Sequence, residues 1–349
     1  MISLRTFDFS DGRREAHAII RPEAGQTFDN QLRAVNAELR SLPLPPLMVR
    51  YFVSDAANQA DAVKAAAPDC AVSIIQQPPL GGEKIAAWVW MRSDAAPQLG
   101  ADGLWSQPDG ELTMILQAGE TIAADSESTT RTMLFELDSR LDRRGASLAN
   151  SCLRTWLFVR DVDTNYAGVV AGRNQAFSQL GLTAQTHFIA STGINGSVAD
   201  SRSLVSLDSV SYAGVEQQNI TYLKAPEFLN PTSEYGVAFE RATAVELPGR
   251  RQVFVSGTAS INNRGEVVFP GNIQAQTERM LQNVEALLAE ADCSFGDVAH
   301  ILVYLRDLAD APLVDSIFEQ RFPAIPRVLL LAPVCRPAWL IEMECMAIK

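Results

Sequence analysis

Apolar residues recur along this chain at two spacings, every second position over short runs and every third or fourth over longer ones, and the two patterns alternate from end to end. That alternation predicts a mixed α and β protein. It is clearest in the last third, where it predicts a strand over 251–261, a helix over 272–292, a strand over 298–305, a helix over 310–321 and two closing strands over 327–331 and 339–348. Ahead of these elements, KAPEFLNPTSEYG at 224–236 carries two prolines, a glycine and polar residues, and reads as a connector.

A weak internal repeat appears upstream. TRTMLFELDSRL (130–141) followed by RTWLFVRDV (154–162) echoes TERMLQNVEALL (277–288) followed by HILVYLRDL (300–308). Both copies read helix, strand, Arg-Asp, helix. The next strands also correspond, THFIA at 186–190 facing PRVLL at 326–330, so that His187 stands where the second copy has Arg327. Duplication of one supersecondary unit is the simplest source of such a pattern. It predicts two tandem domains, 1–224 and 237–349, joined by a connector at 225–236. No N-terminal counterpart of the closing IEMECMA strand (341–347) is visible in the sequence.

Charge narrows the partners. The 349 residues carry a net charge of -12 with no block of Lys and Arg, which argues against nucleic acid, whose phosphates need a basic footprint. No apolar run approaches the roughly 20 residues of a membrane span, so no membrane partner is expected. The opening MISLRTFDFSDGRRE is broken by Arg5, Asp8, Asp11 and Arg13 and offers no signal-peptide core. Five scattered cysteines without CxxC spacing read as reduced thiols, and together these features point to the cytoplasm. His17, His187 and His300 form no metal-ligand spacing, and no GxGxxG, P-loop or GxSxG motif occurs. Neither a metal nor a cofactor is expected.

The last 100 residues resemble the RidA family, through VFVSGTASI (253–261), QAQTERMLQNVEALLAEA (274–291), VYLRDL (303–308), PRVLLLAP (326–333) and IEMECMA (341–347), in that order. The resemblance implies an α+β fold of two tandem RidA-like domains, each a mixed β-sheet with helices packed on one face. It also implies sites at the interfaces of a ring, which leaves monomer and homotrimer both open. Arg327 corresponds to the family's substrate-carboxylate arginine, Glu342 to its site glutamate and Gly257 to the glycine of its Ser-Gly turn. Asp315 stands where RidA sites often have Asn, which counts against a plain imine or enamine deaminase.

With its extra length and RTWLFVRDVDTNYAGVVAGRN (154–174), HFIASTGI (187–194) and APVCRPAWLIEMEC (332–345), the chain is similar over roughly residues 85–349 to the chorismatase branch of RidA-like proteins. This second resemblance implies an enzyme whose small-molecule substrate is chorismate and whose products are pyruvate and 3-hydroxybenzoate, with some 4-hydroxybenzoate. A hydrolytic chorismatase giving dihydroxycyclohexadienoate, a RidA-type deaminase and a binding protein without turnover remain alternatives.

Period two on the closing strand turns Ile341, Met343, Cys345 and Ala347 one way and Glu342, Glu344 and Met346 the other. A single strand glutamate is ordinarily just solvated; the resemblance, not the pattern, assigns Glu342 to the site. Chorismate carries two carboxylates, and a planar guanidinium suits each. Arg327 is the candidate for one. Arg154 is the candidate for the other, because it shares a face with Trp156 and Phe158 on an apolar strand and needs an anionic partner there, unless an acidic side chain supplies it. Tyr166 and Arg173 lie on a helix face as further candidates. Cleavage of an enol ether asks for one general acid, and burial near Trp339 and Leu340 would keep Glu342 protonated for that task. From the chorismatase likeness, Cys335 contacts the ring and separates product outcomes. Ala259, just past Gly257, forms a second part of the pocket wall.

Overall fold

The computed structural model describes the backbone of residues 1–349 and every side chain except that of Tyr235. It contains three mixed sheets. The first holds β1 (Ile2–Asp8), β2 (Arg14–Ile20), β3 (Pro46–Val53), β4 (Ala71–Gln76) and β5 (Ile85–Arg92) in the order β1-β2-β5-β3-β4, with α1 (Phe28–Ser41) and α2 (Ala56–Ala66). The second holds β6 (Gln98–Leu99), β7 (Trp105–Asp109), β8 (Leu112–Thr121), β9 (Cys152–Val159), β10 (Ala190–Asn195) and β11 (Val205–Ala213) in the order β10-β9-β11-β8-β7-β6. Its helices are α3 (Ser126–Asp142), the short α4 (Leu148–Ser151) and α5 (Val162–Gln179). The third holds β12 (Ile220–Leu223), β13 (Ala242–Leu247), β14 (Arg250–Ala259), β15 (Val298–Leu305), β16 (Arg327–Leu331) and β17 (Ile341–Ile348) in the order β12-β13-β14-β17-β15-β16, with α6 (Ile273–Glu290) and α7 (Ala311–Arg321).

Each sheet is built by the same chain path. A hairpin leads into a helix, a strand, a second helix and a strand parallel to the one before, and a closing strand then inserts antiparallel between hairpin and pair. The expectation of two tandem domains therefore missed one sheet, since 1–224 holds two of them. The reason lies in the residues. The first copy reads Val-Ser-Asp at 53–55, where the others read Val-Arg-Asp at 159–161 and Leu-Arg-Asp at 305–307. The closing strand of the second sheet, β11, pairs with β8 and β9 as β17 pairs with β14 and β15, yet VSLDSVSYA shares no motif with IEMECMA. The segment 225–236 links β12 to β13, which pair with each other in the third sheet.

The closing strands β5 and β17 are buried at all eight positions, which requires cover on both faces of the sheet. Helices cover one face. The other faces meet at the centre of a ring, in which β4 packs against β8, β10 against β14 and β15 against β2. Backbone bonds close the circle, with Leu80 N–H donating to Leu329 O at 2.9 Å and Leu331 N–H to Pro78 O at 2.8 Å. Four charged side chains are buried at the centre: Arg50 pairs with Asp208 at 2.8 Å and Arg154 with Glu344 at 2.7 Å. Arg50 also faces the Trp156 ring at 4.4 Å. His300 stacks on Trp88 and His17 at 4.5 and 5.0 Å.

Because ion pairs and core residues cross all three sheets, a single cut within 225–236 should leave the halves associated. The nicked protein is expected to elute as one species and to unfold in one transition. Separate elution of the pieces, or two resolved transitions, would show instead that the chain divides there into independent domains.

Candidate active site

A narrow cavity of about 30 Å³ lies between the second and third sheets. Helix α5 supplies Tyr166 and Arg173, two turns apart on one face, and β10 supplies Ser191 and Gly193. From the third sheet come Phe239 and Arg241 ahead of β13, Gly257 and Ala259 on β14, Cys335 and Trp339 from the loop after β16, and Glu342 on β17. Helix α5 comes close enough because Gly168 and Gly172 face α3, where a methyl group would overlap Ser126 or Glu127.

The register of β14 slips between Val255 and Thr258, a bulge that turns Gly257 towards β17. A methyl group at Gly257 would overlap the Glu342 carboxylate. Thr192 Oγ1 accepts the Gly257 N–H at 2.9 Å and holds the bulge against the second sheet. Glu342 is buried, and loss of water, followed by the nearby Glu344 charge, pushes its pKa up to about 8, against the pull of Arg154 and Arg241. It therefore carries a proton at neutral pH. Burial also pushes the Cys335 thiol up to about 12, with the Glu342 charge acting in the same direction. Tyr166 is raised far above its ordinary value, first by burial and then by Cys335, to which it is hydrogen-bonded.

Opposite this neutral acid stands fixed positive charge. Arg173 is only 1% exposed, and its Nε and one terminal nitrogen have no hydrogen-bond partner among the described residues. A buried guanidinium left in that state can take up an anion that completes its bonding. Arg241 donates to the Asn230 carbonyl and side-chain oxygens at 2.9 and 3.0 Å. The Phe239 ring lies between the two arginines, 5.8 Å from Arg173 and 5.4 Å from Arg241.

The structure thus brings together Glu342, Cys335, Gly257, Ala259, Tyr166 and Arg173 of the residues singled out from sequence. It does not bring Arg327 or Arg154 to this cavity. Arg327 pairs with Asp315 at 3.3 Å and with Glu319, both on α7. Strand register explains the difference. Arg327 lies beside Ile301 in the third sheet, and the residue beside the matching Thr155 in the second is Ser191, not the His187 that the sequence repeat aligns with Arg327; Ser191 does line the cavity. Arg154 takes the acidic-partner alternative, with Glu344 as its partner. Arg241, Phe239 and Ser191 were missed, and no motif marks them; they are recruited by the ring.

The corresponding bulge of the second sheet is closed. Gly119 N–H donates to Asp208 at 2.7 Å, and Asp208 is already paired with Arg50. Among the described residues, no group of three or more His, Cys, Asp or Glu could hold a metal ion, and no helix is long and apolar enough to cross a membrane.

Comparison with known proteins agrees with this layout. Residues 239–349 match the family model described as Endoribonuclease L-PSP. A RutC family protein of Pyrococcus abyssi is 33% identical over 28% of this chain and 78% of its own length. The 3-aminoacrylate deaminase RutC of Acinetobacter baylyi is 31% identical over 27% of this chain and 77% of its own. A solved chorismatase matches in fold over 99% of both chains, with a TM-score of 0.69 and 18% identity.

The raised proton affinity of Glu342 links stability to pH. Folded, the group keeps its proton up to about 8, whereas the unfolded chain loses it near the ordinary 4.5. The stabilisation is complete below the lower value and is lost as pH rises through the higher one. Glu342→Gln removes that loss, so its stability relative to the parent should rise between pH 5 and pH 9 by up to roughly 4 kcal/mol. Denaturant melts at both pH values measure this, and a difference that does not change with pH would contradict a raised Glu342.

Proposed function

We propose that this chain, which belongs to the Endoribonuclease L-PSP family alongside the RutC proteins, is a chorismatase that removes the enolpyruvyl group of chorismate as pyruvate. One observation carries the reading: a protonated carboxyl, Glu342, shares a cavity with a buried guanidinium, Arg173, two of whose nitrogens have no hydrogen-bond partner among the described residues. The full-length likeness in fold to a chorismatase supports it.

Chorismate offers two carboxylates, and Arg173 and Arg241 offer two planar sets of donors on either side of Phe239. Bound there, the substrate presents its vinyl group to Glu342. Proton transfer from the Glu342 carboxyl to the terminal vinyl carbon forms a C–H bond and leaves an oxocarbenium ion, which the resulting carboxylate stabilises. Attack by water gives a hemiketal that collapses to pyruvate and a dihydroxycyclohexadienoate. Attack by the ring hydroxyl, whose proton returns to Glu342, gives a cyclic ketal; one ring C–O bond then breaks as the ring carbon bearing the other oxygen loses its proton, and the hemiketal that remains collapses to hydroxybenzoate and pyruvate. The second course, towards 3-hydroxybenzoate with some 4-hydroxybenzoate, is the one we favour, because Trp339, Ile261 and the neutral Cys335 and Tyr166 leave little room for water beside the ring. The same closed ring places three copies of the unit in one chain, which suits a monomer. Its five free cysteines suit a reducing cytoplasm.

Incubation with chorismate and chromatography of the products tests the activity; an intact substrate after prolonged incubation refutes it. Glu342→Gln keeps the shape but not the acid, so turnover should fall by roughly 10²–10⁴, and wild-type kcat/KM should decline as pH rises through about 8. Near-parental turnover in the variant would remove Glu342 from the reaction.

Cys335→Ala opens space at the cavity wall without touching the acid. Chorismate consumption is expected to persist while the ratio of aromatic to hydrolytic product falls. An unchanged ratio would leave Cys335 as a packed thiol with no part in the outcome.

A further inference from the structure

We propose that Arg154, which does not line the cavity, is a positioning residue that works with Glu344 to set the proton affinity of Glu342; the catalytic importance of this rests on the reading of Glu342 as the proton donor. Arg154 is 1% exposed and reaches the surroundings of Glu342 by two routes. One is through charge. Glu342 and Glu344 share a face of β17, and the Glu344 carboxylate accepts from Arg154 at 2.7 Å and from Trp156 Nε1 at 2.6 Å, with Arg50 at 4.0 Å behind it. The other is through backbone. The same Arg154 nitrogen donates to Thr192 Oγ1 at 2.5 Å, and that oxygen accepts the Gly257 N–H beneath the Glu342 carboxyl.

Every neighbouring element contributes a group to this environment. Glu344 is on the same strand, Tyr304 on β15 is Glu342's register partner, and Arg154 lies across on β9. Arg241 stands ahead of β13, Cys335 and Arg336 in the loop after β16, and Tyr166 and Arg173 on α5. Within this set, Glu344 and Arg154 pair with each other and do not line the cavity, so they can adjust Glu342 from behind it. Neutralising Glu344 removes a like charge and leaves Arg154 uncompensated, which lowers the affinity of Glu342 for its proton. Neutralising Arg154 frees the Glu344 charge and raises it. Loss of packing alone has no reason to move the titration in opposite directions.

The test reads Glu342 directly in the full chain, without substrate, by carboxyl ¹³C NMR of glutamate-labelled protein, with Glu342→Gln identifying the resonance. Glu344→Gln is nearly isosteric and should lower the midpoint by about one unit or more. Arg154→Met should raise it, and Arg154→Lys, which keeps the charge, should return it towards the parent. If Arg154→Met does not fold, the shift in Glu344→Gln decides the matter by itself. A midpoint that stays put or rises in Glu344→Gln overturns the proposal, as does a rise in Arg154→Lys equal to that in Arg154→Met. Because chorismate is absent from this measurement, opposite shifts in a protein that never consumes chorismate would sustain the proposal while removing the proposed function.

Discussion

Buried ion pairs tie the three sheets of this chain together, two of them at the centre and a further cluster joining Arg92 and Glu15 to Asp109 and Arg250. Arg50 comes from the first sheet, Asp208 and Arg154 from the second and Glu344 from the third, and all four lie out of reach of water. Such pairs contribute little net stability, but stranding one member costs on the order of 3–5 kcal/mol. Their value here is selective. A slip of one residue in β3, β9, β11 or β17 would turn a charged side chain towards the helix-covered face and leave its partner alone. The observed arrangement of the three sheets satisfies all four, so the cluster constrains register and mutual orientation together.

The cavity inherits its geometry from that arrangement. With β10 set against β14, Thr192 meets the bulge at Gly257, and the bulge makes room for a carboxyl that could not fit beside any larger residue. Glu342 is then enclosed by the walls of two sheets, and the loss of water that keeps it protonated follows from the same closure that buries Arg173. Acid and cation are thus supplied by different copies of one structural unit.

What could be read in the sequence follows from which constraints are local. Strand period placed Glu342 and Glu344 on one face of β17, and helix and strand limits in the last third agree with the structure within a few residues. Tyr166 and Arg173 were legible as a helix face. Arg327 lies away from the cavity because the cavity pairs the β10 edge of the second copy with the closing strand of the third. The position equivalent to Arg327 at that junction is Ser191. The first copy was invisible because its strands keep the apolar pattern while losing the Arg-Asp signal. Arg241 and Phe239 sit in ordinary sequence, and only the meeting of two sheets gives them a common neighbour.

Carrying three copies in a single chain has a genetic consequence. In a ring of identical subunits every substitution is made three times over, so a change that improves one junction is imposed on the other two. Here each junction is encoded separately. The bulge of the second copy can be sealed by Asp208 while that of the third stays open for Glu342, and an arginine can be lost from one edge strand without disappearing from its sister. A symmetric ring has as many pockets as it has subunits and must fit each to the same ligand. This chain can devote one junction to chemistry and leave the others to hold the molecule together.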